Sequence, residues 1–250
     1  MKSLLIGLLA SVFGLFSAIA EDTRVFELRT YQANPGRLDD LHARFRDHTL
    51  ALFAKHGMTN VGYWVPKGNK ENTLIYLMAY PSRDDREKMW KSFVADPEWK
   101  AAYAKSHENG KLVAKVESVF LKPTDYAPDL KIEAKEPARL FELRKYTTNE
   151  GKLPTLHARF RDHTVRLFQK HGMTNVIYFN LMDDQRGAEN TLIYLLAHPD
   201  EAARNASFDT FRTDPEWQAA QKASEENGKL LVKGGAESTL LIPTDYSPMK

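Results

Sequence analysis

Two patterns in this chain have the residue types and spacing for chemistry. The first is Glu27, Arg29 and Tyr31, which returns as Glu142, Arg144 and Tyr146. Residues two apart point to one face of a strand. A carboxylate beside a guanidinium pairs with it, and the arginine fork also fits a ligand carboxylate. That face therefore makes either a pocket for a small acidic or aromatic molecule or a buried ion-pair network that sets how two sheets meet. The second pattern is Leu41-His-Ala-Arg-Phe-Arg-Asp-His-Thr49, with two histidines, two arginines and an aspartate in nine residues. Its composition suggests a metal site, but helical phase argues against one. His42 and His48 are six apart, about 240° around a helix of 3.6 residues per turn, whereas a shared metal needs an i, i+4 pair. His48 and His163 fall on the apolar stripe and are predicted to be core residues, while Arg46 and Asp47 face solvent. Trp64 and Phe179, beside Tyr63 and Tyr178, are strand aromatics that either pack the sheet face or form a stacking platform for a ring-bearing ligand.

These residues come in duplicate because the chain is duplicated. The nine-residue block recurs letter for letter as Leu156 to Thr164, and Lys55-His-Gly-Met-Thr-Asn60 recurs as Lys170 to Asn175. Phe26-Glu-Leu-Arg29, Glu71-Asn-Thr-Leu-Ile-Tyr-Leu77, Asp96-Pro-Glu-Trp99 and Pro123-Thr-Asp-Tyr126 each have a second copy in the same order. The spacing is 115 residues at first and 120 at the end, so the second copy carries insertions after Asn175 and near Gly234-Gly235. Both are expected to be turns, where insertions collect. A unit this long is a small domain, not a solenoid repeat.

The first twenty residues are set apart from the fold. Lys2, an apolar run from Leu4 to Phe16 and an Ala18-Ile-Ala20 exit read as a signal peptide cleaved after Ala20. The run is short for a membrane span of about 20 residues, so no membrane association is expected after cleavage, and the mature chain is placed in the periplasm or outside the cell. There is no cysteine, which excludes disulfides and thiol chemistry in that oxidising setting. With 35 basic and 33 acidic residues intermixed, the chain lacks the one-sign patch of a nucleic-acid binder. Domain 1 is assigned to residues 21–126, a proline- and charge-rich linker, extended and solvated, to 127–137, and domain 2 to 138–250.

Within one copy, Val25 to Tyr31 alternates as a strand and Leu38 to Lys55 has apolar residues at helical spacing, with Gly57 as its cap. Val61 to Val65 and Thr73 to Tyr80 are strands. Ser82 to Phe93 is a helix, and a second opens at Asp96-Pro-Glu with an aspartate cap and a first-turn proline. Val113 to Leu121 closes the copy. The order β-α-β-β-α-β is ferredoxin-like. It covers one face of an antiparallel sheet with helices and leaves the other bare. The fold class is α+β: two tandem ferredoxin-like domains whose bare faces meet in an intramolecular dimeric α/β barrel.

The Phe-Glu-Leu-Arg-x-Tyr strand resembles the NIPSNAP family, as does the run of Trp64, Asn72, Leu77, Tyr80, Arg86, Trp90 and Phe93 ahead of Asp96-Pro-Glu-Trp99. The second copy matches through Phe141 to Tyr146, Asn190, Leu195, Arg204, Phe211 and Asp214 to Trp217, and departs at Phe179, His198 and Phe208. The resemblance implies the dimeric α/β-barrel superfamily, which includes cofactor-independent monooxygenases and isomerases, while NIPSNAP proteins themselves have no settled activity. Glu27, Arg29, Tyr31, Glu142, Arg144, Tyr146, Trp64 and Phe179 are expected to face the barrel lumen as its ligand-binding residues. A small-molecule binder is favoured over an acid–base enzyme of the cofactor-independent kind with its site in the same lumen, and over a structural or partner-binding module. No cofactor and no metal is implied. A small-molecule ligand and a homo-oligomer are the associations the sequence leaves in view.

Overall fold

The computed structural model describes residues 23–250; the signal peptide expected for residues 1–20, with its cleavage point, lies outside them. Each copy folds as anticipated. The first has β1 (Val25–Ala33), α1 (Leu38–Arg44), a π-turn (Phe45–Thr49), α2 (Leu50–Lys55), β2 (Thr59–Pro66), β3 (Thr73–Tyr80), α3 (Arg83–Ala95), α4 (Pro97–Ser106) and β4 (Val113–Pro123). The second has β5 (Leu140–Thr148), α5 (Leu153–Arg159), a π-turn (Phe160–Thr164), α6 (Val165–Lys170), β6 (Thr174–Leu181), β7 (Thr191–His198), α7 (Glu201–Thr213), α8 (Pro215–Ser224) and β8 (Leu231–Pro243). No helix among the described residues is long and apolar enough to cross a membrane.

The eight strands close into one barrel in the order β1-β3-β2-β8-β5-β7-β6-β4. The halves are joined at two seams, β2 with β8 (Trp64 opposite Pro243) and β4 with β6 (Leu121 opposite Leu181). Each copy's last strand thus pairs with its own first strand and, at its end, joins the other copy's sheet, and closure leaves no bare face. The Pro-Thr-Asp-Tyr motifs after those strands carry on across the seam. Asp245 and Tyr246 dock on the first copy's helix, where Arg46 donates two hydrogen bonds to the Asp245 carboxylate (2.6 and 2.7 Å) and the Tyr246 hydroxyl lies 2.7 Å from His42 Nδ1. Asp125 and Tyr126 engage Arg161 and His157 in the same way. His42 and Arg46 of the duplicated block, and His157 and Arg161 of its repeat, therefore form an inter-copy clasp.

Three expectations need correction. The insertion near Gly234-Gly235 is not a turn. It lies inside β8, where the register against β5 shifts between Tyr146 and Thr148. Gly234 has φ +76°, and a Cβ on Gly235 would sit 2.5 Å from the Thr147 carbonyl oxygen, so this bulge needs glycine at both positions. The other insertion does fall in a turn, 182–190, between β6 and β7. The 127–137 linker is irregular but not simply solvated: Ala127, Leu130 and Ile132 pack with Met249 against the lumen core, and Lys250 N–H donates to the Glu133 carbonyl. Finally, His48 is exposed and His163 only half-buried. The cause is the π-turn, which adds a residue to one turn of helix and rotates everything after it. Thr49 and Thr164 take the inward positions instead.

Candidate functional site

The lumen is a core, not a pocket. Phe26, Leu28, Ile75, Leu77, Leu121, Leu143, Ile193, Leu195 and Leu241 fill it from all sides. Trp64 packs on Phe141 (ring centroids 5.5 Å) and Phe179 on Phe26 (5.0 Å), so each copy's aromatic plugs the other copy's half. The residual void is about 10 Å³, room for about one water and no ligand. Trp64 and Phe179 thus face the lumen as expected, but as packing.

Glu27, Arg29, Tyr31 and their copies Glu142, Arg144 and Tyr146 do not reach the lumen; they point the opposite way, under the helices. The alternation of β1 was legible, but its side was inverted. A closed barrel interior is dry on every side, where an ion pair would need all its remaining hydrogen bonds from other lumen residues. On the helix side those partners exist. Glu27 is fully buried and accepts from Arg86 Nε and Nη2 (3.0 and 2.9 Å), Tyr80 (3.0 Å), Ser118 (2.6 Å) and Arg29. Burial alone would push its carboxyl up, but the Arg86 hydrogen bonds, the Arg29 charge and the Ser118 hydroxyl outweigh that and hold it below the usual carboxylate range. Glu142 is held low in the same way by Arg204, His198, Arg144 and Ser238. The network ties β1, β3, β4 and α3 within one copy, and β5, β7, β8 and α7 within the other, so it does not set how the sheets meet. Arg86 and Arg204 reach solvent at one end of the network, and at the other the Arg29–Tyr31 and Arg144–Tyr146 pairs (Nη2 to hydroxyl, 3.1 and 2.9 Å) approach it.

That second end opens on a cleft between the helix layer and the sheet, once in each copy. The first, about 300 Å³, is walled by Tyr31, Arg44, Phe45, Trp90, Trp99 and Tyr103, among others. The second, about 410 Å³, is walled by Arg144, Tyr146, Arg159, Phe160, Phe208 and Trp217, among others. The π-turn creates this wall. With one extra residue in the turn, Arg44 and Thr49 share the inward face although five apart, and the Thr49 hydroxyl donates to the Arg44 carbonyl across the widened turn (3.1 Å). Thr164 and Arg159 repeat the device. Arg44, buried to 6% exposure, lies over Trp99 and Tyr103 (guanidinium carbon to ring centroids 5.2 and 5.6 Å) and donates to Ser106 Oγ (3.3 Å), while its Nε has no partner. Burial pulls its pKa down.

Sequence reasoning missed Arg44, Arg159, Thr49, Thr164, Trp99 and Trp217 as cleft residues. The available signal was the letter-for-letter identity of the nine-residue block, more than a scaffold helix needs. The histidines drew attention instead, and they lie elsewhere: His42 and His157 in the clasp, His56 and His171 on Asp96 and Asp214 (both 2.8 Å). No group of three His, Asp or Glu side chains among the described residues is placed to hold a metal.

The copies differ inside this shared plan. In the first, Trp90 covers Arg29 (4.6 Å) and donates to the Tyr80 hydroxyl (2.9 Å), and Arg29 Nε donates to Tyr76 (2.8 Å). In the second, Phe208 replaces Trp90 and His198 replaces Tyr80, with His198 Nε2 3.4 Å from Glu142. There Arg144 Nε and the Tyr194 hydroxyl are buried without partners, and Arg144 becomes part of the cleft wall.

The NIPSNAP family model matches twice, over residues 26–128 and 141–248. Human NipSnap homolog 3A is 26% identical over 226 residues, covering 90% of this chain and 85% of that protein. Mouse NipSnap homolog 3B is 23% identical over the same shares. Among solved structures, an anthrone oxidase-like protein superposes with a TM-score of 0.57 at 13% identity, covering 90% of this chain and 92% of that one; at that identity the likeness is one of fold.

Proposed function

The chain belongs to the NIPSNAP family, and from that premise we propose that it is a small-molecule-binding protein whose sites are the two helix–sheet clefts. The observation that carries this is the contrast between a filled lumen and a cleft built twice from equivalent residues. Both clefts fall within the usual size of ligand pockets, about 300–1,000 Å³. Each offers aromatic ring faces, a tyrosine hydroxyl and a buried guanidinium, which suits a flat ligand with one polar end. An acid–base enzyme is the second reading, and it moves to the same clefts: Tyr31 and Tyr146 combine a transferable proton with an arginine partner at the equivalent place in both. The anthrone oxidase-like neighbour lends that reading a fold and no more.

The test is native mass spectrometry of the mature protein from its own host. A retained small mass is expected, and it should vanish when Val113→Trp and Leu231→Trp fill the two clefts. A bare wild-type chain, or a mass that survives the filled variant, would overturn the proposal. The same spectrum tests export: we propose a periplasmic or secreted chain that starts at Glu21, and a mass that includes residues 1–20 would refute it.

A further inference from the structure

The two clefts keep the same buried arginine but treat its charge differently. In the second, every arginine of the wall lies within ion-pair distance of a carboxylate, although Glu225 also pairs with Lys229 and Glu142 with Arg204. Arg159 Nη1 lies 3.7 Å from Glu225, Arg144 pairs with Glu142, and Arg212 lies 2.5 Å from Asp209. In the first, no carboxylate among the described residues pairs with Arg44, and none lines the wall. The position of Glu225 is taken by His107. Its Nδ1 donates to the Tyr103 carbonyl (2.7 Å) and its ring stacks on Tyr103 (4.0 Å), so it is held where the acid would be. Lys111 stands at the same cleft and adds a second positive group.

We infer that the N-terminal cleft is an anion site that takes a planar aromatic carboxylate, with Arg44 as its counter-ion, while the C-terminal cleft is neutralised from within and takes uncharged ligands. This rests on the cleft reading given above. A buried guanidinium without an acid is costly. The Trp99 and Tyr103 rings offset part of that cost, but no carboxylate stands beside Arg44; its Nε, like that of Arg159, is unpaired. A ligand carboxylate between Arg44 and the Tyr31 hydroxyl would complete the set, with its ring between Trp99 and Phe45. In the second cleft Glu225 already sets a carboxylate 3.7 Å from Arg159.

The probes are 2-naphthoate and its uncharged amide, 2-naphthamide, titrated calorimetrically into the mature chain. Naphthoate should bind one site per chain, with tryptophan quenching. His107→Glu installs the internal pair that the second copy already tolerates, and it should weaken naphthoate at least about tenfold while leaving naphthamide unchanged. Glu225→His should raise the naphthoate stoichiometry to two; Glu225→Gln, which also frees Arg159, serves if the histidine variant melts early. Equal affinity for acid and amide, two naphthoate sites in the wild type, or indifference to His107→Glu would overturn this inference and leave the cleft reading standing. Failure of both probes at both clefts would overturn the cleft reading with it.

Discussion

Replacing Glu27 with glutamine should cost this protein much of its stability. The carboxylate is fully buried and receives five hydrogen bonds, three of them from the two arginines Arg29 and Arg86. Glutamine keeps the volume but removes the charge, and its amide nitrogen would face donors it cannot accept from. The two guanidiniums, with side chains 10% and 15% exposed, would then lose their counter-ion. Removing one partner of a buried pair costs about 3–5 kcal/mol. Taking about 4 kcal/mol, and about 2–4 °C per kcal/mol for a chain of this size, the melting temperature should fall by roughly 8–16 °C. Ser118→Ala removes a single hydrogen bond to the same carboxylate and should cost about 1.5–3 kcal/mol. Urea midpoints and calorimetric melting of both variants give the comparison, with unchanged m-values confirming one cooperative transition. If Glu27→Gln shifted stability by less than about 1 kcal/mol, the carboxylate would not be the hub described, and the reasoning that places it under the helices would fail.

Further expectations follow from the clasp, the caps and the π-turn. Arg46→Ala and Arg161→Ala each break a solvent-exposed pair at a seam also held by strand hydrogen bonds, so each should cost no more than about 1 kcal/mol; a loss several times larger would show that the clasp, not the strands, holds the halves together. Burial lowers the pKa of His42 and His157, so the unfolded chain takes up protons that the clasp refuses. Stability should therefore decline as pH falls below about 6.5, and His42→Gln with His157→Gln should flatten that slope in melting curves; an unchanged slope would contradict the assignment. Hydrogen bonds from Lys170 and His171 hold Asp214 down to about 2. Its contribution is present above the unfolded value of about 4 and is lost as pH falls toward the folded one. Asp214→Asn, which keeps the helix cap, should reduce the acid sensitivity between those values. Thr49→Val removes the hydroxyl that donates to the Arg44 carbonyl at the π-turn and should cost about 0.5–1.5 kcal/mol with loss of naphthoate affinity; full affinity would show that the π-turn does not position Arg44.

Local physics made much of this molecule readable from its residues. The duplication, the β-α-β-β-α-β order and the Asp96-Pro97 and Asp214-Pro215 helix starts depend on spacings within a few residues of each other, and the observed elements follow them closely. The barrel was legible because an uncovered sheet face in each of two copies has one economical solution, to meet the other. What the strand β1 could not reveal is which way its two faces point. Glu27 and Phe26 alternate identically whether the polar side looks into the lumen or out to the helices. The choice depends on Arg86 and Ser118, which arrive from 59 and 91 residues away with the bonds the carboxylate needs. The phase of the first helix was likewise invisible. One added residue in the π-turn turns His48 out and Thr49 in, and brings Arg44 and Arg159 to the clefts. Whether that arginine has a carboxylate beside it then rests on a single position, His107 in one copy and Glu225 in the other, in each case 63 to 66 residues further along the chain. The sequence by itself determined the parts and their pairing, because those are local or forced by burial. Only the tertiary structure decided where the charges meet their partners, because the cost of a buried charge is set by groups brought together from distant parts of the chain.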